Sequence, residues 1–100
     1  MRLQDQGHKV HAANILILYS KSTLPDSRLG ILVTRKIDSR AVIRNRIKRR
    51  IREIFRLNRS GLLENYDILI IARRGILECS YADLEKQILT TLRKEKCLSL

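Results

Sequence analysis

Apolar residues change their spacing from one stretch of this chain to the next, and the changes mark its elements. HKVHA (8–12) reads as a short strand, entered from Gly7, which can close a turn. NILILYS (14–20) is a longer strand, apolar on both faces, so it needs cover on both sides or lines a groove with one of them. KSTLPDS (21–27) holds the only proline and is a loop short enough for an antiparallel, hairpin-like link to the next strand, RLGILVTRK (28–36). Gly30 inside that strand is expected to mark a bulge or a close approach. The four-residue turn IDSR (37–40) precedes a change to helical spacing over 41–58, with Ser39 favoured over Asp38 as N-cap and Gly61 as the stop signal. LLEN (62–65) is linker. YDILIIARR (66–74) is nearly continuous in apolar residues, the pattern of a buried strand in a parallel pairing. After the loop GILECS (75–80), Ser80 and Asp83 stand at capping-box spacing and open a helix over 81–95, with Tyr81, Leu84, Ile88, Leu89 and Leu92 on its apolar face. The last residues, KCLSL (96–100), are expected to fray. The order β-β-β-α-β-α predicts an α/β single domain, a small central mixed sheet of about four strands with a β-α-β crossover and helices packed on it.

The helix over 41–58 has two unlike sides. Ile43, Ile47, Ile51, Ile54 and Phe55 share one face, while Asn45, Arg49, Arg52 and Arg56 fall on the opposite arc, flanked by Lys48. From Arg44 to Arg56 there are seven basic residues and one acid, Glu53. Cations this dense repel one another along a helix, so the arrangement calls for a polyanion or a fold that compensates. A merely solvated face mixes both signs, and this one does not. Arg50 sits near the edge of the apolar face, its stem expected along the core and its head in solvent. A basic amphipathic helix suits nucleic acid, a membrane surface or an acidic protein, and by itself does not separate them.

The net charge of +11 is local: between Arg28 and Arg59 there are twelve basic residues and two acids. That concentration implies a docking surface. At 44% hydrophobic with only four aromatic residues, the chain can build one mostly aliphatic core. Cys79 and Cys97 form no C-x-x-C pair and lie far from His8 and His11, which argues against zinc and for two free thiols in a reducing, cytoplasmic setting. No apolar run reaches membrane-spanning length, and residues 1–20 lack the order of a secretory signal.

The stretch RNRIKRRIRE resembles the signature of the bacterial ribonuclease P protein family, R-N-R-x-K-R-x-x-R, with Arg44, Asn45, Arg46, Lys48, Arg49 and Arg52 matching position by position. RLGILVTRK and YDILIIAR resemble the strands on either side of it, and the likeness runs from Gly7 to about Lys94. The chain differs from many relatives in having Asp38 and Ser39 where a glycine is common, and Arg50 where an apolar residue is common. The resemblance implies a left-handed β-α-β crossover. It also implies an aromatic-bearing helix ahead of Gly7, which residues 1–7 hold only in small part, so that this N-terminal helix is largely missing. It implies a catalytic RNA as partner, with magnesium bound mainly by that RNA, precursor tRNA as substrate, and a protein that is monomeric without RNA. A groove for the single-stranded 5′ leader of the precursor is implied between the N-terminal helix, the sheet and the C-terminal helix. The resemblance implies that Leu16 and Leu18 face that groove, in positions where relatives often carry an aromatic; read from the residues alone, the two leucines fit plain core equally well.

The residue chemistry agrees with a binding role. No carboxylate pair, nucleophile with base, phosphate loop or metal-ligand cluster stands out, so no catalytic and no metal-ligating residue is assigned. Lys48, Arg49, Arg52 and Arg56 are suited to phosphates. Arg44 and Arg46 lie by the positive end of the helix dipole, where a bound anion would relieve them. Asn45 both donates and accepts, which fits a ribose hydroxyl, a base edge or a hydrated metal. Arg35, Lys36 and Arg40 extend the patch. Against a ribonuclease P subunit stand a ribosomal or other structured-RNA-binding protein without a cleavage role, a membrane-surface protein and, as the weakest rival, a metal-dependent nuclease acting alone.

Overall fold

The computed structural model describes residues 7–99. The N-terminal helix expected to be largely missing falls outside this range. The elements are β1 (His8–His11), β2 (Ile15–Lys21), β3 (Arg28–Leu32), α1 (Ala41–Asn58), β4 (Tyr66–Ala72) and α2 (Tyr81–Lys94), with 3-10 turns at Arg59–Gly61 and Ile76–Glu78. The four strands form one mixed sheet in the order β1-β2-β4-β3, β4 running antiparallel to β2 and parallel to β3. β2 and β3 are therefore not a hairpin, as the short loop between them had suggested. The near-continuous apolar run of β4 takes the place between them, where both of its edges are hydrogen-bonded. The loop crosses the start of β4, where Ser22 N–H donates to the Asn65 carbonyl and Tyr66 N–H to Ser27 Oγ. Gly30 keeps the regular register opposite Leu69, so it marks no bulge.

Strand alternation sorts the sheet into two faces. Ile15, Ile17 and Tyr19 of β2 and Tyr66, Ile68 and Ile70 of β4 join the core with Ile47, Ile51 and Ile54 of α1 and Leu84, Ile88 and Leu92 of α2. Both helices thus cover one face. Leu16 and Leu18 point to the other, in register with Ile71 and Leu69, and beyond them β3 adds Gly30 and Leu32.

Two helix ends differ from their sequence reading. α1 starts without a side-chain cap: its N-cap position is Arg40, not Ser39. The Asp38 carboxylate is taken by the backbone N–H and the guanidinium of Arg40, two residues on, and so is not available to the helix. α2 has the expected capping box of Ser80 and Asp83. Its far end does not fray. Lys96 adopts a left-handed conformation (φ 61°), and the N–H groups of Lys96 and Cys97 bond back to the carbonyls of Arg93 and Leu92. This Schellman turn throws Cys97 and Leu98 inward, where both are buried, and Leu98 bridges to Leu62. Gly61 accepts from the Ser99 N–H, and a Cβ at that glycine would meet the Leu98 side chain at 3.2 Å.

Ile51 is fully enclosed and Leu98 is 5% exposed. Truncation of either to alanine is expected to cost about 2–5 kcal/mol, Leu98 toward the lower end because its site lies at the molecular edge and can collapse. Urea denaturation of the two variants checks this, and an unchanged midpoint for Leu98→Ala would mean the tail does not dock.

Candidate nucleic-acid interface

α1 carries its cations on a rigid axis because its other side is the core. Ile47, Ile51 and Ile54 are buried, Ile43 and Phe55 are half-buried, and Asn45, Arg46, Arg49, Arg52 and Arg56 are exposed. The wheel read from sequence is the one observed. Arg50 is half-buried at the seam, as its stem required.

The basic residues divide by what they already hold. Arg44 Nη1 donates to the carbonyls of Asp38 and Ser39, at 3.0 and 2.8 Å, so this arginine fastens the turn ahead of the helix. Arg40 forms a bidentate pair with Asp38 and Arg56 with Glu53, one turn earlier on α1. Arg59 reaches Asp26 and the Ser27 carbonyl and lies over the Phe55 ring, tying the end of α1 to the loop after β2. Arg46, Lys48, Arg49, Arg50 and Arg52 have no hydrogen-bond or ion-pair partner among the described residues, and neither do Arg35 and Lys36 in the turn before α1. Of the residues predicted to bind RNA, Arg35, Lys36, Asn45, Arg46, Lys48, Arg49 and Arg52 form the available surface, whereas Arg40, Arg44 and Arg56 must share or exchange partners. The first turn of α1 holds no acid, so its N–H groups and dipole add to the positive potential there.

Most of the described acids are committed too. Asp26, Asp38, Glu53, Glu64 and Asp67 each pair with a cation, Asp83 completes the α2 cap, and Glu95 accepts from the Tyr19 hydroxyl at 2.7 Å. No group of three or more His, Cys, Asp or Glu side chains among the described residues is placed to hold a metal ion. A magnesium ion resident in the described chain does not fit this donor set. The described helices include none long and apolar enough to cross a membrane. Cys79 and Cys97 are both free thiols.

Leu16 and Leu18 share the sheet face opposite the two helices with Leu69 and Ile71; Leu16 is buried there and the other three are half-buried, with Lys9 and His11 of β1 beside them in register. Arg73 Nη1 and His11 Nδ1 are 3.2 Å apart at the end of this strip. α2 packs on the opposite face, so it does not bound the groove as the resemblance had implied. Tyr19, Phe55, Tyr66 and Tyr81 all pack with the core on the helix side. Sequence reading passed over Arg73 and Arg74, and the signal was a cationic doublet directly after an apolar strand.

At the other end of the open face Asp67 accepts two bonds from Arg28, at 2.8 and 2.7 Å. That guanidinium holds the Asp67 carboxyl below the usual carboxylate range, and the Arg40 guanidinium with its backbone N–H lowers Asp38 to about 2. A carboxyl whose folded pKa is depressed stabilises the fold above its unfolded value, near 4, and that contribution is lost as pH falls through the folded value. The melting temperature is therefore expected to hold steady from about pH 7 to 5 and to drop below about pH 4. Asp67→Asn should melt lower at neutral pH and show a shallower acid limb; thermal melts across pH read both.

The whole arrangement has close counterparts. A family model described as Ribonuclease P matches residues 1–96. The chain is 39% identical over 95 residues to the ribonuclease P protein component of Syntrophus aciditrophicus, covering 95% of this chain and 79% of that one. Its fold superposes on the RNase P protein of Staphylococcus aureus with a TM-score of 0.87 at 29% identity, over 98% and 89% of the two chains. Against the RNase P protein of Thermotoga maritima the TM-score is 0.82 at 30% identity, over 92% and 86%.

Proposed function

The chain belongs to the bacterial ribonuclease P protein family, and from that premise we propose how its surfaces serve the enzyme. It is the protein subunit of a tRNA-processing ribonucleoprotein whose catalytic activity lies in the RNA. The observation that carries the docking assignment is the α1 surface: Arg46, Lys48, Arg49 and Arg52 form no ion pair with any described acid, on a helix whose reverse side is locked into the core. Cations left without partners along a straight rod fit the phosphates of a folded RNA, and arginines bind them through paired hydrogen bonds. Asn45 adds a group able to read a ribose hydroxyl or a base edge. Arg35 and Lys36 widen the patch, and Arg40, Arg44 and Arg56 join it by exchanging their present partners for phosphate.

The chain's part in the reaction is positioning. Screening of phosphate repulsion lets the RNA hold its fold, and its magnesium ions, at lower magnesium concentration; those ions supply the phosphodiester hydrolysis chemistry from RNA ligands. The 5′ leader of precursor tRNA runs over this sheet face, meeting Leu18 more than the buried Leu16. With aliphatic side chains there, the leader gains apolar contact but no aromatic stacking from the described residues. The protein works in the cytoplasm and is monomeric until it meets RNA.

Reconstitution tests this directly. The protein alone is expected to leave precursor tRNA intact, and adding a bacterial ribonuclease P RNA at low magnesium should give cleavage at the mature 5′ end. Efficient binding of that RNA with no gain in cleavage would move the chain to the class of structured-RNA binders.

Two further measurements address the interface. With roughly six phosphates engaged, the log–log dependence of affinity on salt should have a slope of about −4 to −5. A slope near zero would remove the electrostatic basis of docking. Arg49→Ala with Arg52→Ala should leave the melt unchanged or slightly higher, as like-charge repulsion is relieved. The same pair should weaken RNA binding by about 1.5–3 kcal/mol per charge-assisted contact, less where the contact stays wet.

A further inference from the structure

The parallel strands β3 and β4 end at the same edge of the sheet, and the crevice beyond the carboxyl ends of parallel strands is where ligands gather in α/β folds. Here that crevice is a cavity of about 360 Å³. Lys36 and Ile37, from the turn after β3, form one wall, and Arg74 through Glu78, from the turn after β4, form the other. Lys36 and Arg74 are exposed, and neither side chain has a partner among the described residues.

The turn that presents Arg74 is held in one geometry. The Asn14 carbonyl accepts from Arg73 N–H at 2.9 Å, and Asn14 Nδ2 donates to the Arg74 carbonyl at 2.9 Å. Asn14 Oδ1 is in turn fixed by Cys79 Sγ and Gln87 Nε2, each at 3.0 Å. Gly75 sits at φ 88°, and a Cβ there would stand 2.5 Å from Asn14 Nδ2, so the close approach excludes any side chain. This clamp ties the β1–β2 turn, the end of β4 and α2 to the backbone of one arginine. Such rigidity reduces the entropy lost when Arg74 binds.

We infer that Lys36 and Arg74 form a second phosphate-binding subsite, outside the signature helix, which takes a phosphodiester of the ribonuclease P RNA in the crevice between the β3–α1 and β4–α2 turns. The inference rests on the docking role given to α1 above. Its partner is the same RNA because Lys36 belongs to the turn that leads into the basic start of α1, so one backbone can pass from the helix into the crevice. A small free anion is a poorer occupant: Glu78 lines the same cavity and offsets part of the charge. The aliphatic lining from Ile37, Ile76 and Leu77 suits the sugar beside a phosphate.

Salt-dependent binding to a bacterial ribonuclease P RNA, measured on the full chain, tests the subsite. Lys36→Ala with Arg74→Ala should keep the melting temperature, flatten the salt slope by about 0.7–0.9 per cation removed, and bind roughly threefold to tenfold more weakly at low salt. Glu78→Gln should act in the opposite sense and tighten binding, which a role confined to holding the turn would not produce. Unchanged slope and affinity in the double variant, or weaker binding in Glu78→Gln, would overturn the subsite. So would a loss seen with precursor tRNA alone and not with the ribonuclease P RNA. The Arg49→Ala, Arg52→Ala protein run alongside separates the two ideas. If it loses affinity while the Lys36, Arg74 variant does not, the subsite fails, and with it the place of Lys36 in the patch, but the docking role of α1 stands; if neither loses affinity, that role fails too.

Discussion

Burial of Ile47, Ile51 and Ile54 beneath α1 is what the interface depends on. Each such side chain contributes roughly 1.5–3 kcal/mol when taken from water, whereas like charges one turn apart on a helix cost about 0.2–0.5 kcal/mol per pair. The pairs Arg44–Lys48, Arg46–Arg50, Lys48–Arg52 and Arg52–Arg56 stand at that spacing, and even with the i,i+3 pairs their repulsion stays below the burial term. The core can therefore hold a helix whose outer surface would oppose its formation in isolation. The charges stay unneutralised without unfolding the chain, and their repulsion becomes free energy that a polyanion releases on docking.

Arginine serves two ends in this molecule, and geometry decides which. Where a carboxylate or a carbonyl lies within reach the guanidinium closes on it: Arg28 on Asp67, Arg40 on Asp38, Arg56 on Glu53, Arg59 on Asp26. Two of these pairs, Arg28–Asp67 and Arg59–Asp26, join segments 39 and 33 residues apart and secure the loop that carries the chain from β2 across the start of β4 to β3. The arginines along the middle of α1 are left unpaired because the one acid on the helix, Glu53, is engaged by Arg56. A second acid on that arc would neutralise more of the face, so the scarcity of carboxylates is as much a part of the site as the presence of cations.

The two parallel strands give the surface its second component. Because β3 and β4 run in the same direction, the turn before α1 and the turn before α2 meet at one edge. Asn14, from the opposite side of the sheet sequence, locks the second of these turns. A small domain with an aliphatic core thus gains rigid presentation at two points without a disulfide or a metal-ligating cluster among its described residues.

Local pattern was enough to determine the elements. The isoleucine spacing set α1 at residues 41–58, the Ser80 and Asp83 spacing set the start of α2, and the apolar runs set the strands to within a few residues, because periodicity and capping act over one or two turns of chain. The basic signature and its flanking strands carried the family for the same reason, since they are contiguous. Strand order was not legible: β2 and β3 look like neighbours until β4 comes between them, and that choice depends on which strand needs both edges paired. The cap at Ser39 was lost to an Asp38–Arg40 contact that no propensity encodes. The tail from Lys96 was read as frayed because its burial depends on a left-handed turn and on a gap beside Leu62 that only the packed helices create. Sequence showed where the charge was concentrated; the tertiary structure alone decided which cations it left free, because an ion pair is a matter of distance in space and not of position along the chain.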